Sequence, residues 1–145
     1  EVPRWLRKMK TSRYLIDTGI LIALLDRGDE HHAWALRTVD DLRSPLATCE
    51  SVLSEAWFLA RRGGADPVRV LDLAEGLELD VLPVWSPIAS GFLRAYPERA
   101  SVADAGLLTL AQIDEGCVVV TTDVEDFSVY RINRRKTVPV IMPLG

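Results

Sequence analysis

The feature that most narrows the fold is the alternation of short apolar runs with segments of helical spacing. The strongest strand signal is CVVVTTD, Cys117 to Asp123, in which Val118, Val119 and Val120 are consecutive and β-branched. YLID, Tyr14 to Asp17, is apolar enough for a central strand buried on both faces. PLAT, LDVLPV and, near the end, TVPVIMP read as further strands. Between them lie helical segments: TGILIALLD, Glu30 to Leu42, Cys49 to Arg62, Pro67 to about Gly76, a segment capped by Ser86 that runs to Tyr96, and one capped by Ser101 that Gly116 ends. Strands that alternate with helices imply an α/β fold, a parallel sheet with helices on both faces.

A chain of 145 residues suits one domain and can bury roughly two-thirds of its unfolded surface. No linker, repeat or low-complexity tract divides it, and residues 63–66 read as a hinge between helices, with Gly63 and Gly64 both able to take positive φ. We expect residues 1–13 to form a basic N-terminal arm or extension and 14–145 a single domain. Met9 is a natural start position, which makes the preceding residues an upstream extension or a remnant of expression; the alternative is an ordered arm anchored by Trp5.

The apolar run Ile20 to Leu25 falls far short of the roughly 20 residues that span a bilayer, so no membrane passage is expected. Cys49 and Cys117 are too far apart for a CxxC pattern and are expected as two buried thiols in a reducing cytoplasm. The net charge of −4 argues against clinging to nucleic acid over the whole surface, though not against a local basic patch.

Asp17 and Asp123 end two predicted strands, where open parallel sheets hold their ligands. The alternative role for each is a cap for the turn or helix that follows. Asp104 has Leu107, Leu108 and Ala111 three, four and seven residues on, so burial is expected, although a first-turn Asp also complements a helix dipole. Glu55 sits at the edge of an apolar arc, and periodicity alone reads it as a solvated surface residue. Four carboxylates gathered at the end of a sheet would repel one another unless a cation compensates them. Such oxygen-rich clusters suit Mg²⁺ or Mn²⁺, which can activate water and clamp a phosphodiester.

The segments LIDTGILIALLDRGDEHHAWA, SVLSEAWFLA, SVADAGLLTLA and VVVTTDVEDFSVY resemble, in order and spacing, the successive motifs of PIN-domain ribonucleases. Within that family the likeness is greatest to the toxins of VapBC-type toxin–antitoxin pairs, and it runs from Tyr14 to Tyr130. The resemblance implies a PIN-like α/β fold and an endoribonuclease that cuts RNA with a metal-activated water. It implies that Asp17, Glu55, Asp104 and Asp123 hold one or two Mg²⁺ or Mn²⁺ ions, with Thr18 and Thr121 orienting the acids or a bound water. Asp126 matches a frequent extra acid, unless it only caps a short turn. A homodimer and a protein antitoxin that blocks the site are also implied, while the expected cytoplasmic location rests on the two unpaired thiols.

Other residues are read more plainly. His31 and His32 are expected to be solvated rather than metal-bound. Arg61 and Arg62, or the group Arg131, Arg134, Arg135 and Lys136, are either RNA-binding flanks or a solvated basic face. Trp34 and Trp57 are expected in the core, the alternative being a groove for a partner's helix. The competing functions are a noncatalytic PIN-like domain that binds RNA or protein, and a phospho-aspartate domain of the receiver or haloacid-dehalogenase kind. Against the latter, Gly19 stands where the second acid of such a phosphatase belongs, and Lys136 is the one lysine after Lys10.

Overall fold

The computed structural model describes residues 13–42 and 45–144. Five parallel strands form the central sheet in the order β3-β2-β1-β4-β7: β1 is Arg13–Ile16, β2 Leu46–Cys49, β3 Asp80–Leu82, β4 Cys117–Val120 and β7 Val140–Ile141. The helices among the described residues are α1 Thr18–Leu25, α2 His32–Asp41, α3 Glu50–Arg62, α4 Val68–Gly76, α5 Pro87–Ala95, α6 Val102–Ile113 and α7 Val124–Val129. This is the α/β arrangement expected from the alternation of apolar runs, and none of these helices is long and apolar enough to cross a membrane.

The chain runs from β1 to β2 and β3 on one side and then returns to lay β4 against the other, with Leu15 opposite Val119 and Ile16 opposite Val120. The strand order therefore reverses between β1 and β4, and a crevice opens beyond their carboxyl ends. Leu15, Ile16, Val119 and Val120 are fully buried, which anchors the floor of that crevice.

Helix α6 is buried from Ala103 to Ala111 and packs against α3, α5 and the sheet. Ser101 and Asp104 form a reciprocal capping box at its start, so the sequence marks this helix end unambiguously. Gly106 permits the close approach: a Cβ there would lie 2.6 Å from the Cys49 sulfur and 3.0 Å from Val84. Ser86 caps α5 by accepting from the Ala89 N–H at 3.3 Å, as its place before Pro87 predicts.

One local expectation needs correction, and the structure adds two details to it. TVPVIMP is not one strand: Lys136–Thr137 is β6, which pairs antiparallel with β5, Arg131–Ile132, and only Val140–Ile141 joins the sheet. The hairpin turns through Asn133 and Arg134, at φ 45° and 77°, without the glycine that normally advertises such a turn. Helix α7 lacked a periodic signal because it is only six residues long. At the hinge, Gly64 alone takes positive φ, at 85°, whereas Gly63 sits at −79°.

Cys49 and Cys117 are both buried and free, as expected of core thiols. Of the arm expected over residues 1–13, only Arg13 is described; the expectations for Trp5 and Met9 lie outside the described residues. Arg13 belongs to β1 rather than to an arm, and its guanidinium meets Asp80 of β3 at 2.8 Å.

Candidate active site

Asp17 is the residue at which β1 becomes α1, and it is only 5 % exposed. One carboxylate oxygen accepts the Thr18 N–H at 2.7 Å, and the other accepts the Thr121 hydroxyl at 2.5 Å. Thr121, just beyond β4, also accepts the Asp123 N–H at 2.9 Å. One hydroxyl thus ties the ends of the two central strands together and sets the positions of both aspartates. Asp123 in turn caps α7 by accepting the Asp126 N–H at 2.9 Å. Capping and lining the crevice, set against each other in the sequence, are both realised: Asp17 and Asp123 are N-caps whose helices begin at the crevice wall.

Glu55 reaches the same place from α3. Its carboxylate accepts the Thr18 hydroxyl at 2.7 Å, so it is half-buried against the crevice and not the solvated residue that periodicity suggested. Asp104 enters from α6. Besides its capping-box bond to the Ser101 N–H, its Oδ2 accepts the Tyr130 hydroxyl at 2.6 Å. Tyr130 is fully buried, edge-on to both Tyr96 and Phe127, which fixes the donor. The sequence reading missed Tyr130; the available signal was that a buried tyrosine needs a partner for its hydroxyl.

Asp17, Thr18, Gly19, Glu55, Asp104, Asp123 and Asp126 line one open cleft of about 360 Å³. A Cβ at Gly19 would stand 2.2 Å from the Thr122 hydroxyl oxygen, so any larger residue there must turn the Thr122 side chain aside. The charge of the cleft is poorly compensated. Burial pushes Asp17 up to about 7, with the charges of Asp104 and Glu55 adding to it and the bonds from Thr121 and Thr18 opposing it. Burial likewise raises Asp104 and brings Asp123 up to about 6. Tyr130 is held far above the usual phenol range by burial and by the Asp104 carboxylate it faces.

The donors are all oxygens, carboxylate or hydroxyl, as a hard divalent cation requires. Among the described residues no three histidine, cysteine or acidic side chains stand close enough to ligate a single ion. This donor set still fits Mg²⁺, which characteristically takes one or two carboxylates directly and keeps several waters rather than entering an all-protein cage.

The remaining candidates lie elsewhere. His32 Nδ1 is 2.6 Å from the Ala23 carbonyl and joins α2 to α1, while His31 is 3.4 Å from Glu30. Arg61 lies over the Trp57 ring at 5.7 Å, and Lys136 is 3.6 Å from Glu115. Arg131 donates through Nη1 to the carbonyls of Ser128, Val129 and Tyr130, closing the end of α7. Trp34 packs half-buried against the core, and Trp57 is half-buried. The cation that does line the cleft is Arg99, which no pattern in the sequence singled out: it is 2.6 Å from Asp126 and 3.7 Å from Glu125.

Residues 14–133 match the family model described as PIN domain. No curated protein gives a significant sequence match. Among solved structures, the chain is similar to Mycobacterium tuberculosis VapC20, a Sarcin-Ricin loop cleaving toxin, with TM-score 0.63 and 19 % identity over 73 % of this chain and 86 % of that one. It is also similar to Rickettsia felis VapBC2 bound to a promoter DNA fragment, with TM-score 0.61 and 13 % identity over 90 % and 98 % of the two chains. A toxin–antitoxin complex from Klebsiella pneumoniae gives TM-score 0.56 and 19 % identity over 80 % and 91 %.

Proposed function

This chain belongs to the PIN-domain family, and from that premise we propose that it is a divalent-metal-dependent endoribonuclease, the toxin half of a toxin–antitoxin pair. The observation that carries this reading is the cleft at the β1/β4 switch point, where four elements each deliver an acid: Asp17, Glu55, Asp104 and Asp123. The solved toxins of similar fold support the assignment to a toxin–antitoxin system.

Asp17, Glu55, Asp104 and Asp123 would hold Mg²⁺ or Mn²⁺, directly or through water. When bound, such an ion supplies an activated water and neutralises charge on a phosphodiester. The chain's own residues prepare the site. Thr121 aims the Asp17 carboxylate and fixes the Asp123 backbone; Thr18 spans Asp17 and Glu55; Tyr130 holds Asp104. These bonds restrict the acids before substrate arrives, which lowers the reorganisation left for the reaction. RNA, a protein antitoxin and a second copy of the chain are the partners we assign.

The phospho-aspartate alternative lacks its partner groups: Gly19 stands where the second acid of the phosphatase belongs, and no lysine is among the described residues lining the cleft beside Asp17. The reading that competes is a PIN domain that binds RNA or protein without cutting it, favoured by the lack of a three-acid cage among the described residues. Total RNA incubated with purified protein, with Mg²⁺ or with EDTA, separates the two. Discrete Mg²⁺-dependent cuts are expected, and the same RNA left intact under both conditions would reject the nuclease.

A further inference from the structure

We infer that Arg99 is the residue that binds the RNA backbone at this cleft, holding a phosphate beside the acids. The inference rests on the nuclease reading and adds to it the means by which an acid-lined cleft admits a polyanion. Arg99 is the one cationic side chain among the described residues lining the cleft of Asp17, Glu55, Asp104 and Asp123. It also lines a larger open cleft of about 620 Å³ alongside, with Tyr96, Pro97, Glu98, Glu125 and Asp126. Arg99 therefore stands where the two clefts meet, on the path of a strand that crosses from one into the other.

The side chain is held for that task. Its Nη1 donates to Asp126 at 2.6 Å and lies 3.7 Å from Glu125, and its side chain remains 35 % exposed. A guanidinium carries five donors in a planar fork, so a phosphate can be gripped while the pair with Asp126 persists. Asp126 thereby acts on Arg99 as a positioning residue. Of the basic residues anticipated for this role, Arg61 lies on Trp57, Arg131 on the end of α7 and Lys136 near Glu115, and none of Arg61, Arg62, Arg131, Arg134, Arg135 and Lys136 is among the residues lining the cleft.

The test follows the RNA species in total RNA that the wild type cuts, over a salt series from about 50 to 200 mM. Arg99→Gln should raise KM about tenfold, leave kcat within about twofold, and flatten the slope of log kcat/KM against log salt by about 0.7, the value of one phosphate contact on a single strand. Arg99→Lys keeps the charge and should restore the slope while recovering only part of the KM, because the fork is lost. Melting curves identify a variant that fails to fold, and Arg99→Lys then carries the measurement. If Arg99→Gln keeps both the wild-type KM and the wild-type salt slope while cutting the same RNA, the role of Arg99 is refuted and the nuclease reading stands. If the wild type cuts nothing, the nuclease reading falls and this inference with it.

Discussion

The floor and the rim of the acid cleft hold the same residue type in opposite electrostatic circumstances. Asp17 in the floor has only hydroxyl and amide donors around it, and burial drives it up to about 7. Asp126 at the rim has Arg99 at 2.6 Å and is a quarter exposed. The floor therefore lacks a cation that the rim already possesses. A buried carboxylate without a counter-charge costs several kcal/mol when ionised, and a fold keeps it where something else supplies the charge.

The sharpest way to break this contrast is to neutralise the floor. Asp17→Asn or Asp104→Asn should lower Mg²⁺-dependent RNA cleavage at least about 10³-fold and remove any growth inhibition on expression, whereas Asp126→Asn should be far milder. Equal losses at floor and rim, measured on the same RNA, would erase the distinction.

The next effect is thermodynamic. Asp17 and Asp123 bind protons more tightly in the folded chain than in the unfolded one, so between about pH 4 and pH 7 the folded state holds protons the unfolded state has released. Metal-free protein should thus be most stable near pH 4 with respect to these groups and lose stability as pH rises to about 7, by about 4 kcal/mol from Asp17 alone. Mg²⁺ should raise the melting temperature much more at pH 8 than at pH 5, because binding requires the ionised acids. Denaturant titrations across this range, with and without Mg²⁺, check it; a rise of metal-free stability between pH 5 and pH 7 would contradict the floor as described.

Tyr130→Phe tests one support of the floor. Removing the hydroxyl leaves the buried Asp104 oxygen short of a donor and should destabilise the fold by about 1–3 kcal/mol, with the pH dependence of cleavage displaced to higher pH. The smallest effect belongs to the rim: breaking the exposed pair with Asp126→Asn should leave the melting temperature within about 2 °C of wild type.

Much of this fold was legible because its signals are local. β-branched valines, the Ser86–Pro87 start and the Ser101 cap are each readable within a few residues, and they mark the central strand, α5 and α6 correctly. The short segments after Asp123 were not. α7 is too brief to show a period, and the turn at Asn133 and Arg134 uses residues that do not announce positive φ. At the site, the positions of the acids at strand ends were legible, and the resemblance to PIN domains supplied their grouping.

The sequence by itself determined that Asp17 ends a strand and opens a helix, that Asp123 ends a strand, and that Asp104 sits in the first turn of its helix. Only the tertiary structure decided what those acids face. The order β3-β2-β1-β4-β7 sets the ends of β1 and β4 side by side, α3 turns Glu55 toward Thr18, and contacts across 26 to 104 residues of chain join Tyr130 to Asp104, Arg99 to Asp126 and Thr121 to Asp17. Such pairings depend on where distant segments pack, and no local pattern encodes them, because a hydroxyl or a guanidinium looks the same in sequence whether it meets water or a carboxylate.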